Sequence, residues 1–300
     1  MSTSTVAISP LSRRTVGRRR SRAPRTAFVL AGGASLGAMQ VGMLRALYEH
    51  GVVPDLLVGT SAGALNAAFV ASRPQTVATA EELARVWRGL RRDDIFPIRP
   101  RAVIGGLTNQ RDHLVPDDGV RRLAARHLQI ERLEHAIVPL HLVTFDLLTG
   151  EEVRLSDGPA TEAVLAAAAI PGVLPPVRRG DRLLVDGGVV NNTPISHAVE
   201  LGAERVYVLP TEDRLVRALP VGPRGALDAA VHAFSLLVGA RLEADLARYA
   251  GAAELIVLPG ANPQRVQPTD FEHSSRLIGA ALAAARSALA PPPVVQPIAV

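Results

Sequence analysis

The run Val58-Gly59-Thr60-Ser61-Ala62-Gly63 constrains this chain more than any other stretch: an apolar segment ends in Gly-x-Ser-x-Gly and continues as Ala64-Leu65-Asn66-Ala67-Ala68-Phe69-Val70. It reads as strand, sharp turn, helix. In such an elbow the serine occupies a strained turn and projects its hydroxyl from the sheet, while small residues two before and two after it let strand and helix approach closely. Gly59, Ala62 and Gly63 meet that demand. The helix N-terminus behind Ser61 presents unpaired N–H groups and the positive end of its dipole to any oxyanion formed there. Ser61 is therefore the candidate nucleophile. The same five residues also suit an ordinary βα turn, with glycine for tightness and serine as N-cap.

A Gly-rich turn precedes the elbow. The strand-like Ala27-Phe28-Val29-Leu30-Ala31 runs into Gly32-Gly33-Ala34-Ser35-Leu36-Gly37. Met39, Met43, Leu44 and Leu47 then recur at helical spacing until His50-Gly51, with glycine as C′. As a dinucleotide fingerprint the loop is weak, because Ala34 replaces the second glycine and no acidic residue closes the second strand. As a phosphate loop it lacks the GKS/T ending. As an oxyanion loop it is well placed, since its N–H groups would lie beside the end of the neighbouring strand, where Ser61 emerges. A plain tight turn is the alternative.

Further along, residues 76–90 predict a helix with Leu83, Val86, Trp87 and Leu90 on one face. Asp93 to Pro116 reads as irregular, either a lid or an insertion, on account of Pro97, Pro100 and Gly105-Gly106. A helix over Asp117 to His127 and a buried strand over Ile137 to Phe145 follow. Asp146 and Thr149-Gly150-Glu151 then turn a hairpin into Val153-Arg154-Leu155. An alanine-rich helix, Thr161 to Ala169, ends in Ile170-Pro171-Gly172-Val173-Leu174-Pro175-Pro176. The strand Leu183-Leu184-Val185 delivers Asp186-Gly187-Gly188, after which Thr193 is expected as N-cap and Pro194 as N1 of a helix. The remaining units are a strand from Arg205 to Leu209, a helix from Gly225 to Ala250, a strand from Leu255 to Leu258 and a helix from Asp270 to Leu289. In the first of these helices Leu227, Val231, Phe234, Val238, Leu242, Leu246 and Tyr249 form a stripe expected to pack in the core. Alternating strands and helices predict an α/β fold, a three-layer α/β/α sandwich on a mostly parallel sheet. One domain spans 26–290, between a disordered arginine-rich leader (1–25) and a proline-rich tail (291–300).

Composition removes several functions. The chain has no cysteine, which excludes disulfides and thiolate chemistry, and its eight histidines show no ligand spacing, so neither metal nor cofactor is expected. The formal charge of +5 belongs to the leader, whose seven arginines are accompanied by no acid. Without them the balance is −2, so no folded basic patch and no nucleic-acid partner are expected. The leader lacks the apolar core of a signal peptide, and no later run is long enough to span a membrane. The expectation is a cytoplasmic protein whose leader is either drawn to anionic membrane or is a solvated tail.

Taken in order, Gly32-Gly33-Ala34-Ser35-Leu36-Gly37, Gly59-Thr60-Ser61-Ala62-Gly63 and Asp186-Gly187-Gly188 resemble the patatin-like phospholipases over about residues 26–210. Gly42-Met43-Leu44, Ala168-Ala169-Ile170-Pro171 and Asn191-Asn192-Thr193-Pro194 extend the match. The resemblance implies hydrolysis of lipid acyl esters (phospholipase A or lysophospholipase type) by a Ser-Asp dyad without histidine. Ser61 would then be nucleophile, Asp186 proton acceptor, and Gly32, Gly33 and Ala34 the oxyanion loop, with Gly37, Gly59, Gly63, Gly187 and Gly188 supporting the motifs. Two residues depart from the family pattern. Ala34 replaces a usual glycine and still offers its N–H to the oxyanion hole if the turn keeps φ negative there. Leu36 replaces a usual Arg or Lys, which bears on phospholipid preference more than on ester hydrolysis. The rivals are a Ser-His-Asp α/β-hydrolase, drawing on His197, His232 or His273, and a non-catalytic lipid-binding regulator.

Overall fold

Thr26–Leu30 is buried along its whole length and has a parallel neighbour on each side, which makes it the central strand, β1. The computed structural model describes residues 23, 25–97, 99–108, 110–211, 225–262 and 266–290. The tail at 291–300 and the leader, apart from Ala23 and Arg25, lie outside the described residues. Arg25, counted with the leader above, is tied to the domain. Its guanidinium donates to the Leu201 carbonyl (2.6 Å) and its own carbonyl accepts the N–H groups of Glu204 and Arg205.

After β1 come a 3-10 turn (Ala34–Gly37), α1 (Ala38–Glu49), β2 (Leu56–Thr60), α2 (Ala62–Ala71) and α3 (Val77–Gly89). Next are α4 (Arg92–Ile95), α5 (Pro100–Leu107), α6 (Asp118–His127), β3 (Leu140–Asp146), β4 (Glu152–Leu155) and α7 (Ala160–Ala168). The last part comprises β5 (Val177–Arg179), β6 (Arg182–Asp186), α8 (Gly188–Asn191), α9 (Ile195–Glu200), β7 (Arg205–Leu209), α10 (Ala226–Tyr249), β8 (Glu254–Val257) and α11 (Ser274–Leu289). The strands form one mixed sheet in the order β5-β6-β3-β2-β1-β7-β8, with β4 also on β3. The run from β3 to β8 is parallel, and the β4, β5 and β6 pairings are antiparallel.

Alternation along each strand sends side chains to opposite layers. Phe28, Leu30 and Leu57 join the larger core beneath α1, α2, α3, α7 and α11. Ala27, Val29, Leu56 and Val58 face the thinner layer of α9 and α10. The fold is thus the expected three-layer α/β/α arrangement. Among the described residues no helix is long and apolar enough to cross a membrane.

Four local expectations need correcting. Asp93 to Pro116 contains two helices rather than an irregular loop. The Asp94 carboxylate accepts the Arg91 N–H (2.8 Å) to open α4, and Pro100 sits at N1 of α5 with Gly105-Gly106 near its end. Proline and glycine there occupy the helix positions that tolerate them. Thr193 is not an N-cap, because α8 turns immediately after Gly187 and α9 starts at Ile195 with Pro194 before it. The final helix starts at Ser274, since Asp270 uses its carboxylate on the Glu272 N–H (2.9 Å). Among the described side chains the α10 stripe, of which Leu227 and Val231 lie outside the description, meets the core near its C-terminal end. Leu242, Leu246 and Tyr249 meet the second core, whereas Phe234 is 42% exposed, because six-residue α9 leaves little surface beneath the rest.

Candidate active site

Ser61 follows directly on β2 and holds φ +56°, ψ −126°, a conformation an L-residue adopts only when its surroundings impose it. The glycines of the elbow supply the room. A Cβ on Gly59 would lie 2.5 Å from the Gly63 carbonyl oxygen, and one on Gly63 would collide with the Leu30 carbonyl of β1. Ser61 occupies the N-cap position of α2, yet its side chain makes no cap bond, so the hydroxyl is not used as an ordinary cap serine would use it.

Asp186 reaches the same place by register. Thr60, the last residue of β2, pairs with Val143 of β3, and Asp186, the last residue of β6, pairs with Thr144. Consecutive residues of β3 therefore align the two strand ends. The end of α7 adds a second template, for the Ser61 N–H donates to the Ala167 carbonyl (3.0 Å) and the Asp186 N–H to that of Ala169 (2.9 Å). Gly187 is needed for this approach, since a Cβ there would lie 2.6 Å from the Val143 oxygen. The Asp186 residue is 4% exposed and its carboxyl accepts the Gly188 N–H (2.8 Å), with the Ser61 hydroxyl close enough to lower its pKa. Burial outweighs both and pushes the pKa up to about 6.

The Gly loop lies against this pair, with the Cβ direction of Gly32 ending 2.9 Å from Ser61 Cβ. Ala34 has φ +49°, so the condition of a negative φ is not met. The turn into the 3-10 segment demands the left-handed region, and Ala34 meets it at a strain cost; its N–H is retained all the same. Along the loop, Gly32 N–H donates to Asn192 O (3.1 Å), Ser35 N–H to Pro268 O (3.0 Å) and Leu36 N–H to Gly33 O (3.0 Å). The N–H groups of Gly33 and Ala34 have no partner among the described residues. Gly37 lets the loop rest on the elbow helix, its Cβ direction ending 2.9 Å from Ala62 Cβ. Leu36 is buried in the core and offers no charge to the site.

Sequence reasoning missed a buried polar network that joins loop and elbow. Gln40 Nε2 donates to the Ala31 and Leu209 carbonyls (2.7 and 3.0 Å). Asn66 Nδ2 donates to Gly37 O (3.0 Å) and Gln40 Oε1 (2.9 Å), and Trp87 Nε1–H donates to Asn66 Oδ1 (2.8 Å). The available signal was a lone amide inside the apolar text of each helix that follows a motif, since a buried amide must find partners.

An apolar cleft runs from Ser61 and Ala34 past Leu65, Leu90, Ile95, Ile170 and Leu174. Trp87, Phe96 and Phe271 line it too, with the Trp87 and Phe271 rings stacked at 6.3 Å. Ile95 and Phe96 thus bring the start of the 93–116 segment into the cleft wall, while Ile104 on α5 is 61% exposed. None of the histidines is bonded to Ser61 or Asp186 among the described residues. His197 pairs with Glu152 (2.6 Å) and His273 with Asp270 (2.9 Å). Among the described residues no group of three or more His, Asp or Glu side chains is arranged to hold a metal ion.

A serine turned out of a strand end, backed by a buried aspartate on a strand aligned with it, defines the class of α/β proteins built about a nucleophile elbow. Within that class the chain belongs to the patatin-like phospholipase family, whose model matches residues 28–199. An uncharacterized NTE family protein of Mycobacterium tuberculosis (strain ATCC 25618 / H37Rv) is 33% identical over 169 residues, 55% of this chain and 27% of that protein. Human patatin-like phospholipase domain-containing protein 6 is 31% identical over 186 residues, 61% of this chain and 13% of its own length. Among solved structures, VipD from Legionella pneumophila aligns over 85% of this chain and 67% of its own, with 16% identity and a TM-score of 0.43. The chain thus spans 27% and 13% of the length of these two sequence relatives.

Proposed function

We propose that the protein is a serine acyl hydrolase that cleaves carboxylic ester bonds of lipids, of phospholipase A or lysophospholipase type. One observation carries the reading: the ends of β2 and β6 are aligned so that the Ser61 hydroxyl neighbours a buried carboxyl whose pKa is pushed up to about 6. An ordinary aspartate is too weak a base for a hydroxyl, and desolvation moves this one toward neutrality, where proton transfer is more effective. Asp186 takes the hydroxyl proton as Ser61 Oγ bonds to the ester carbonyl carbon. The oxyanion that forms is held by the N–H groups of Gly33 and Ala34, with the positive end of α2 behind Ser61. Collapse breaks the bond to the alcohol oxygen, which leaves with the proton from Asp186, and Ser61 stays acylated. Water then gives a proton to Asp186 as its oxygen bonds to the acyl carbon; the bond to Ser61 Oγ breaks, Oγ takes that proton back from Asp186, and the fatty acid is released.

The apolar cleft beside Ser61 suits an acyl chain, and the absence of a basic side chain at Leu36 favours ester hydrolysis over recognition of a phosphate headgroup. That no histidine meets Ser61 or Asp186 favours the dyad over a triad. The arginines at 13–22, outside the described residues, suit attachment to an anionic lipid surface. The test is reaction with a fluorophosphonate ester followed by peptide mapping. Labelling is expected on Ser61 and absent in Ser61→Ala; a folded protein left unlabelled would overturn the reading.

A further inference from the structure

We infer that Asn192 and Thr211 are positioning residues that aim the Gly33 N–H at the oxyanion by gripping the carbonyl on the opposite edge of the same peptide. The inference rests on the hydrolase reading above. A trans peptide is planar, with C=O and N–H on opposite edges, so whatever fixes the Gly32 carbonyl also fixes the direction of the Gly33 N–H. Two side chains donate to that one oxygen, Asn192 through Nδ2 at 3.2 Å and Thr211 through its hydroxyl. They arrive from separate parts of the chain. Asn192 directly follows α8, six residues past the end of β6 at Asp186, while Thr211 lies two residues beyond β7 and is 2% exposed.

The preceding peptide is held as well. Its carbonyl, on Ala31, accepts Gln40 Nε2 at 2.7 Å, and its N–H, on Gly32, donates to the Asn192 main-chain oxygen at 3.1 Å. Asn192 therefore grips Gly32 twice, by main chain and by side chain. Every polar group leading up to Gly33 is satisfied, and its own N–H has no partner among the described residues.

The two glycines explain why such a grip is needed. A Cβ on Gly33 would collide with the Thr211 side chain, and one on Gly32 with Asn192 Oδ1, so glycine lets both side chains sit directly on the loop. Glycine also crosses to positive φ almost freely, which leaves an unrestrained Gly-Gly peptide able to turn over and bury its donor. The Asn192 and Thr211 bonds supply the rigidity that the glycines remove. A preorganised donor is what lowers the barrier, since it needs no reorganisation as charge develops.

The test compares Thr211→Val, which keeps shape and loses the hydroxyl, with Thr211→Ser, which keeps the hydroxyl. Asn192→Asp is the partner variant, replacing the Nδ2 donor with an acceptor. Hydrolysis of a soluble short-chain ester is measured with enzyme concentration set by fluorophosphonate titration, so that unfolded material does not count. Thr211→Val and Asn192→Asp are each expected to lower kcat by about 10- to 100-fold with KM within about threefold, and the pair together to approach the roughly 10²- to 10³-fold loss of an oxyanion donor. The rate of fluorophosphonate labelling should fall in step, and Thr211→Ser should restore turnover to within about threefold of the parent. Parental kcat in both variants, a loss confined to KM, or Thr211→Ser as impaired as Thr211→Val would overturn the positioning role while Ser61 still labels. A folded parent that neither turns over ester nor labels at Ser61 would instead overturn the hydrolase reading and the inference with it.

Discussion

Asp186→Asn should raise stability while abolishing turnover, and the gain should depend on pH in a direction the structure fixes. Burial moves the Asp186 carboxyl from 3.8 to about 6, a shift of about two units or about 3 kcal/mol. The folded pKa lies above the unfolded one, so the ionised form is penalised in the folded state. This group's contribution is most favourable below about pH 4 and is lost as pH rises through about 6. Asparagine is neutral throughout and keeps an oxygen for the Gly188 N–H. The variant should therefore gain up to about 3 kcal/mol at pH 8, roughly 5–10 °C in Tm for a chain of this size, and almost nothing at pH 4. Turnover should fall by about 10²- to 10⁴-fold, the contribution of a general base. Thermal unfolding by circular dichroism at pH 4, 6 and 8, beside ester hydrolysis on the same samples, measures both. A variant less stable than the parent at pH 8, a gain equal at pH 4 and 8, or near-parental turnover would refute the reasoning.

Other outcomes follow from the same geometry. His197→Ala, His232→Ala and His273→Ala should each keep ester hydrolysis within about tenfold of the parent, because no imidazole carries the proton; loss of several orders of magnitude at one of them would restore the triad. Ala34→Gly should gain on the order of 0.5–1 kcal/mol in urea unfolding, as the left-handed penalty relieved exceeds the entropy glycine adds, and a destabilised variant would contradict the strain at φ +49°. Asp146→Asn should lower Tm yet retain activity when folded, because that carboxylate serves the Leu148 and Leu183 N–H groups and the Thr149 hydroxyl rather than Ser61. Deleting residues 1–24, which spares Arg25, should leave hydrolysis of a soluble ester unchanged and weaken salt-sensitive sedimentation with anionic vesicles; equal binding by both forms would make the leader a solvated tail.

The elbow was legible because its demands are local. Gly59 and Ser61 answer a steric problem posed within the turn itself, and Gly63 adds the room that β1 beside it requires. The approach of Asp186 to Ser61 was legible only through the family resemblance, for it depends on Val143 and Thr144 aligning two strand ends that lie far apart in sequence. Ala34 misled because whether its φ is positive is set by the turn into Ser35-Leu36-Gly37, not by the residue itself. Pro100 and Gly105-Gly106 read as helix breakers, although at the ends of α5 they belong to the helix. The Gln40-Asn66-Trp87 network was signalled only by amides in apolar helices, without their partners, and the grip of Asn192 and Thr211 was out of reach, since each bond joins elements whose proximity exists only after folding.

The central claim is that the Asp186 carboxylate takes the proton from Ser61, and the pH dependence of fluorophosphonate labelling tests it most directly. In the parent the rate constant for labelling Ser61 should climb about tenfold per pH unit at low pH and level off above about 6, where Asp186 is ionised. Asp186→Asn should label at a rate reduced by about 10²-fold or more and lose that ionisation from its profile. Labelling of Asp186→Asn at the parental rate, with the parental pH profile, would contradict the account.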